Sequence, residues 1–295
     1  MAARRPPGRW RRRLGRGAAS AVLVAAVAVW AVPVAWTMVT SFKPHQAIFS
    51  TPPAFRFTPT LEHYQRTLGI RTGRFVESTT GGIGPAIVNS VVVTTWTTLV
   101  TLVFAVPAGY AFARLRFRGR TPLAFYALFT NMAPPIGLLI PYFFLLNRLR
   151  LMDTYVGLVS VYLTFSVPFA VWLMLTYFEE LPRELEEAAA VDGASRFTAF
   201  WRIVLPQARG GVAVTAVFSF INAWNEFLYA AVLTGNQTRT ATVALFGFIS
   251  TEEHLWGAFT ASGTMIMVPV IGIALVAQRQ LVHGLTFGAV SRGRR

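Results

Sequence analysis

Residues 179–206 read Glu179-Glu180-Leu181-Pro182-Arg183-Glu184-Leu185-Glu186-Glu187-Ala188-Ala189-Ala190-Val191-Asp192-Gly193-Ala194-Ser195, then Arg196-Phe197-Thr198-Ala199-Phe200-Trp201-Arg202-Ile203-Val204-Leu205-Pro206. Six of the chain's 12 acidic residues (Glu179, Glu180, Glu184, Glu186, Glu187 and Asp192) fall inside this stretch, although the chain as a whole carries a formal net charge of +15. Long apolar runs flank it on both sides. An acid-rich loop kept in water between such runs is suited to meeting a partner.

Composition places the chain in a membrane. Hydrophobic residues make up 54% of it, charged residues only 13%, and mean hydropathy is +0.50, outside the range of ordinary globular or disordered chains. Residues 18–39, 88–112, 123–145, 156–177, 211–233 and 259–278 are each mainly apolar over twenty or more positions. That length crosses a hydrocarbon core of about 30 Å as helix. The expectation is an all-α membrane protein with six transmembrane helices.

Charge predicts their orientation. With the N-terminus cytoplasmic, segments 1–17, 113–122, 178–210 and 279–295 lie inside and hold 19 Lys and Arg, against eight outside. Positive-inside bias favours that topology, and the short loop with Arg114, Arg116, Arg118 and Arg120 speaks for it most directly. Both termini are then cytoplasmic: a basic tail at 1–17, a membrane domain at 18–278 and a second tail at 279–295.

Several other functions are disfavoured on the same page. A pI near 11.4 would suit a phosphate-binding domain, but the arginines sit at span borders, where they set topology and meet anionic headgroups of membrane lipid. No polar stretch is long enough for a separate nucleic-acid-binding domain. Arg11-Arg12-Arg13 before an apolar segment resembles an export signal, yet that segment runs for 22 residues, beyond the usual core of about 7 to 15. There is no cysteine, and His45, His63, His254 and His283 lack metal-ligand spacing. The single lysine, Lys43, precedes Pro44 rather than Ser or Thr, so no Walker A loop exists here. Gly81-Gly82-Ile83-Gly84 follows no strand and reads as a flexible entry to the second span.

Within 179–206 the pattern predicts two short helices. Pro182 suits a first helical turn, and Glu184, Glu186 and Glu187 lie where the helix dipole favours carboxylates. Arg183 and Glu187 stand four apart and can pair. Ala188-Ala189-Ala190 keeps side chains short for close approach by another surface, and Asp192-Gly193 supplies a left-handed turn. Ser195 is the expected N-cap of the second helix, whose residues Phe197, Phe200, Trp201 and Val204 form one apolar face for packing on the spans until Pro206 stops it.

The pattern Glu187-Ala188-Ala189-x-x-Asp192-Gly193-Ala194, with Phe200, Ile203, Leu205 and Pro206 at these spacings, resembles the "EAA" loop of permease subunits in bacterial ABC importers. Ser41-Phe42-Lys43-Pro44, Asn89-Ser90, Gly109-Tyr110-Ala111-Phe112-Ala113-Arg114, Asp153-Thr154-Tyr155, Trp224-Asn225-Glu226-Phe227 and Gly284-Leu285-Thr286 are similar to the MalG-type maltose and multiple-sugar branch. The resemblance covers nearly the whole chain after residue 17.

That resemblance implies a type I importer permease fold with its core at about 84–278 and a cytoplasmic coupling helix in loop 179–206. It implies a transport subunit without catalysis in the bacterial plasma membrane, and no cofactor of its own. Its partners would be a second permease in a heterodimer, two cytoplasmic ATPase subunits that hold ATP and Mg, and an extracytoplasmic sugar-binding protein. Glu187, Ala188, Ala189, Asp192, Gly193, Ala194, Leu205 and Pro206 would couple to the ATPase. The same loop would serve a permease for glycerol phosphate, amino acids or peptides. A polytopic membrane enzyme is the alternative from another class, although the one acidic cluster lacks accompanying histidines.

Trp224, Asn225 and Glu226 lie inside an apolar run. A carboxylate near a helix centre costs roughly 2.5–3.5 kcal/mol on insertion, so Glu226 should face protein or water. Two readings stand: a sugar pathway, or packing of this span against a neighbour. Asp153-Thr154 is expected to cap the fourth span. Pro134-Pro135 should interrupt the third, and residues 234–258 form an outer loop that in maltose-system relatives can face the binding protein.

Overall fold

The computed structural model describes residues 9–70, 82–249 and 255–291, all of whose regular elements are helical. Helix α1 (Arg9–Thr40) leads into two short helices, α2 (His45–Ile48) and α3 (Glu62–Thr67). Then come α4 (Ile83–Arg114), α5 (Arg120–Thr130), α6 (Pro135–Arg148) and α7 (Tyr155–Glu180). The loop holds α8 (Glu184–Val191) and α9 (Arg196–Ala199), a π-helical turn (Phe200–Val204) and α10 (Leu205–Gln207). Helices α11 (Arg209–Asn225), α12 (Leu228–Leu233), α13 (Ala241–Phe246) and α14 (Trp256–Ser291) complete the chain. Gly81, His254 and the extreme ends of both tails lie outside the described residues.

Four described segments, Ser20–Thr40, Ile83–Arg114, Tyr155–Glu180 and Trp256–Val276, are continuous helices long and apolar enough to cross a bilayer. The expected third and fifth spans are not continuous. The third divides into α5 and α6, because Pro134 and Pro135 supply no amide donor to extend a helix through 131–134. The fifth divides at Glu226, whose backbone is extended, into α11 and α12. Between Arg196–Gln207 and Arg209–Asn225 the chain also bends by 72°.

Helices α4 and α7 form the central pair. The buried face of α4 is built from Thr94, Thr97, Thr98, Thr101, Ala105 and Gly109. Such small side chains let backbones approach where lipid supplies no hydrophobic drive. Gly109 sets the limit: a Cβ there would stand 2.5 Å from Met174 Cβ and 2.9 Å from the Leu175 nitrogen. One end of the pair carries an apolar cluster of Val93, Leu158, Tyr162, Tyr229 and Leu233. The other end carries Tyr110, Met174, Phe178, Phe200 and Val204.

By contrast, Val22, Leu23, Val24, Val27 and Trp30 of α1 are exposed on the single chain. A helix with its backbone bonds satisfied internally and its apolar side chains outward is stable in hydrocarbon. The segment after α1 folds back on itself: the Lys43 ammonium lies 4.0 Å from the Trp36 ring, and buried His63 bonds the Lys43 carbonyl through Nε2 at 2.9 Å.

Candidate functional site

Helix α8 begins at Glu184, two residues beyond the proline expected in its first turn. Arg183 is its N-cap and Pro182 stands outside, so the first turn is Glu184, Glu186 and Glu187. Its C-terminus closes as the Asp192-Gly193 pair predicts. Gly193 takes φ +82°, its amide bonds the Ala190 carbonyl at 3.1 Å, and the Ala194 amide bonds the Ala189 carbonyl at 2.9 Å. A Cβ at Gly193 would meet nothing within 4 Å, so the constraint at this exposed position is conformational.

The three alanines divide. Ala189 is buried against the rest of the loop, whereas Glu187, Ala188, Ala190, Asp192 and Val191, the last 89% exposed, face outward; Ala194 is half-buried. The expected Arg183–Glu187 pair does not form. Within α8 the acid that finds a cation is Glu186, whose Oε1 lies 2.6 Å from Arg114 Nε, while Glu179 at the end of α7 meets Arg120 at 3.1 Å. Glu186 Oε2 accepts from Tyr110 hydroxyl at 2.9 Å, and Arg114 Nη2 donates to the Leu181 carbonyl at 2.8 Å. Arg114 is the last residue of α4 and its side chain is only 6% exposed, so burial demanded a carboxylate partner more strongly there than at the exposed Arg183. The Tyr110 ring sits 4.7 Å from Phe200 and 5.7 Å from Phe178.

Ser195 caps α9 as expected, its hydroxyl accepting from the Thr198 amide at 3.2 Å. The apolar face beyond it is only half used: Phe200 and Val204 enter the core, while Phe197 and Trp201 remain exposed. The regular spacing behind that four-residue face is lost because 200–204 is π-helical, with bonds one residue longer than those of an α-helix. Pro206 does not stop the helix either. It lies in the first turn of α10, where its missing amide costs nothing, Leu205 packs on the core, and the bend falls after Gln207, at buried Ala208.

The polar group in the divided fifth span separates residue by residue. Trp224 is buried, stacks on Phe220 at 5.6 Å and donates from Nε1 to the Ile266 carbonyl at 3.3 Å. Glu226 turns inward: Oε2 accepts from Tyr162 hydroxyl at 2.8 Å and from the Ala230 amide at 3.1 Å, and Oε1 from the Tyr229 amide at 2.9 Å. Its carboxylate thereby satisfies the free amides that open α12. Asn225 is exposed and bonds only its own helix, Nδ2 to the Ile221 carbonyl at 2.9 Å.

At the opposite end of α4 and α7 lies a polar cluster that sequence reading missed. Asn89 Nδ2 donates to the carbonyls of Gln237 at 2.9 Å and Arg239 at 3.0 Å, and Asn89 Oδ1 accepts from Tyr155 hydroxyl at 2.7 Å. Ser90 accepts from the Ala241 amide at 2.8 Å. The expected cap divides here too: Thr154 caps α7 through the Gly157 amide, but Asp153, at φ +54°, points elsewhere. It accepts from the Gln237 and Thr238 amides and from the Thr238 hydroxyl at 3.1, 2.9 and 2.8 Å. Burial raises the Asp153 pKa, but the bonds from Gly235, Gln237 and Thr238 outweigh it and hold the carboxyl below its ordinary value. Asn89 and Asp153 were visible as motif residues; their partners in segment 237–239, more than eighty positions away, were not.

Among the described residues no three His, Cys, Asp or Glu side chains gather as a metal site. The model of the binding-protein-dependent transport system inner membrane component family matches residues 104–286. The probable ABC transporter permease protein y4oR of Sinorhizobium fredii is 36% identical over 89% of this chain and 91% of its own. The trehalose transport system permease protein SugB of Mycobacterium tuberculosis is 35% identical over 88% and 92%. Among solved structures, a bacterial ABC transporter involved in import of the acidic polysaccharide alginate superimposes with a TM-score of 0.70 at 25% identity, covering 93% of this chain and 99% of that one.

Proposed function

The chain belongs to the family of inner membrane components of binding-protein-dependent transport systems, and on that premise we propose that it imports a carbohydrate as one of two different permease subunits in an ABC importer. It is a multi-pass transport subunit, with ATP hydrolysed on a separate subunit. The carbohydrate assignment is supported by the trehalose permease and the alginate importer among the similar proteins. The working complex adds two cytoplasmic ATPases, which hold ATP and Mg, and an extracytoplasmic sugar-binding protein. Loop 178–210 and both termini face the cytoplasm.

The observation that carries the coupling role is the outward face of α8. Glu187, Ala188, Val191, Asp192 and Gly193 are exposed together, while Ala189 holds the helix to its base. This face docks in the ATPase, with Glu187 pairing a basic group there and the small residues permitting close approach. Leu205 and Pro206 extend the base towards α11. Closure of the ATPase pair rocks the bundle and alternates access. In the pathway, Asn225 is the member of the Trp224-Asn225-Glu226 group available to solute, since the other two are engaged inside the chain.

Reconstitution tests this reading. Proteoliposomes with both permeases, the ATPase and the binding protein are expected to accumulate a mono-, di- or oligosaccharide in an ATP-dependent manner. Glu187→Arg, or a bulky residue at Gly193, should abolish that uptake; full uptake by assembled variants would remove α8 from the coupling path.

A further inference from the structure

Resting on the reading of α8 as the ATPase-docking helix, we propose that Glu186 is the positioning residue that transmits ATPase closure to the membrane helices, through its joint hold on Arg114 and Tyr110. Consecutive glutamates divide the work. Glu187 is exposed for a partner, whereas Glu186 is turned about 100° round the helix and faces the bundle.

The backbone of α8 packs on α9 and on the π-helical turn. Its link to α4 is made by the Glu186 side chain, both of whose oxygens are taken by α4 residues one turn apart, Arg114 at 2.6 Å and Tyr110 at 2.9 Å. Arg114 simultaneously holds the Leu181 carbonyl, just beyond the end of α7. One carboxylate therefore gathers α8, α4 and the α7 terminus. Charge-assisted bonds in a poorly solvated site are short and directional, so displacement of α8 pulls on both spans. The apolar contacts at Phe200 and Val204 impose no comparable direction, because dispersion contacts tolerate sliding. Gly109 makes the receiving end firm: α4 and α7 touch backbone to side chain there and move as one body.

The test compares solute imported per ATP hydrolysed in the reconstituted importer. Glu186→Gln and Arg114→Gln should keep the ATPase in the purified complex and continue ATP turnover, while the ratio falls by about fivefold or more. Tyr110→Phe, which removes one of the two holds, should lower it less. The chain has no cysteine, so Arg114→Cys with Glu186→Cys can be joined by a short bifunctional thiol reagent. Joining should restore the ratio, because a strut that moves as a unit tolerates a covalent lock. An unchanged ratio in Glu186→Gln, release of the ATPase by that variant, or a cross-linked pair that stays uncoupled would each overturn the proposal. Where Glu186→Gln fails to reach the membrane, the cross-linked pair decides alone. Failure of the docking reading looks different: Glu187→Arg would then leave the ATPase bound and the ratio intact.

Discussion

The central α4–α7 pair is clamped at both ends, and the two clamps use different chemistry. At the α8 end a full ion pair, Arg114–Glu186, holds a short helix whose other side is exposed. At the far end Asn89, Ser90 and Asp153 reach into segment 237–241 mostly through its backbone amides and carbonyls. A charge pair is stiff and depends on both partners, so it suits a part that must transmit force. Backbone bonds fix a segment's path whatever side chains it carries, so they suit holding a loop in place against the bundle.

The contrast can be broken most severely at Arg114. Arg114→Ala leaves the half-buried Glu186 carboxylate without its cation and should destabilise this end by about 3 kcal/mol. Thermal unfolding of the detergent-solubilised complex reads the effect, and an unaltered midpoint would mean that the ion pair contributes nothing. Asn89→Ala strikes the other clamp, removing three bonds at a cost of about 2 kcal/mol. Hydrogen exchange should accelerate in 237–241 and stay unchanged in α8; acceleration at both ends would show that the clamps are one unit.

Acid gives a smaller and more selective effect. The folded Asp153 pKa lies below its unfolded value of about 3.9, so its contribution is fully present above that value and is lost as pH falls through the folded pKa. Protection of segment 235–238 should hold from neutral pH down to about pH 5 and then decline, and Asp153→Asn should flatten the profile. A profile identical in the variant would assign the acid sensitivity elsewhere. Least of all, Ser195→Ala removes the cap of α9 and should cost about 1 kcal/mol, visible as faster exchange at Thr198 alone. Loss of ATPase docking from that change would place the cap, rather than α8, at the centre of the loop's role.

Much of this architecture follows from local rules. Four of the six apolar runs became continuous helices long enough to cross a bilayer, Pro134-Pro135 marked a real break, Ser195 and Thr154 cap the helices expected of them, and Gly193 adopts the left-handed turn. Each of these depends on neighbours within a few residues. The misreadings arose where a local rule met a distant partner. Arg183 lay at the right spacing for Glu187, but the buried Arg114 drew Glu186 into the base of the loop. Asp153 stood beside a helix start, yet its carboxylate serves amides 84 and 85 positions away.

The sequence by itself determined that the chain is a helical membrane protein with an acid-rich helix in a loop, because hydropathy, helix caps and turn residues act over a turn or two. Which side of that helix faces the bundle was decided only by tertiary structure. Burial of one arginine 72 residues away required a carboxylate, and the same fold turned Glu226 inward to Tyr162 while leaving Asn225 exposed. Polar groups taken out of water must be satisfied wherever the packing finds a partner, and that choice has no signature in local spacing.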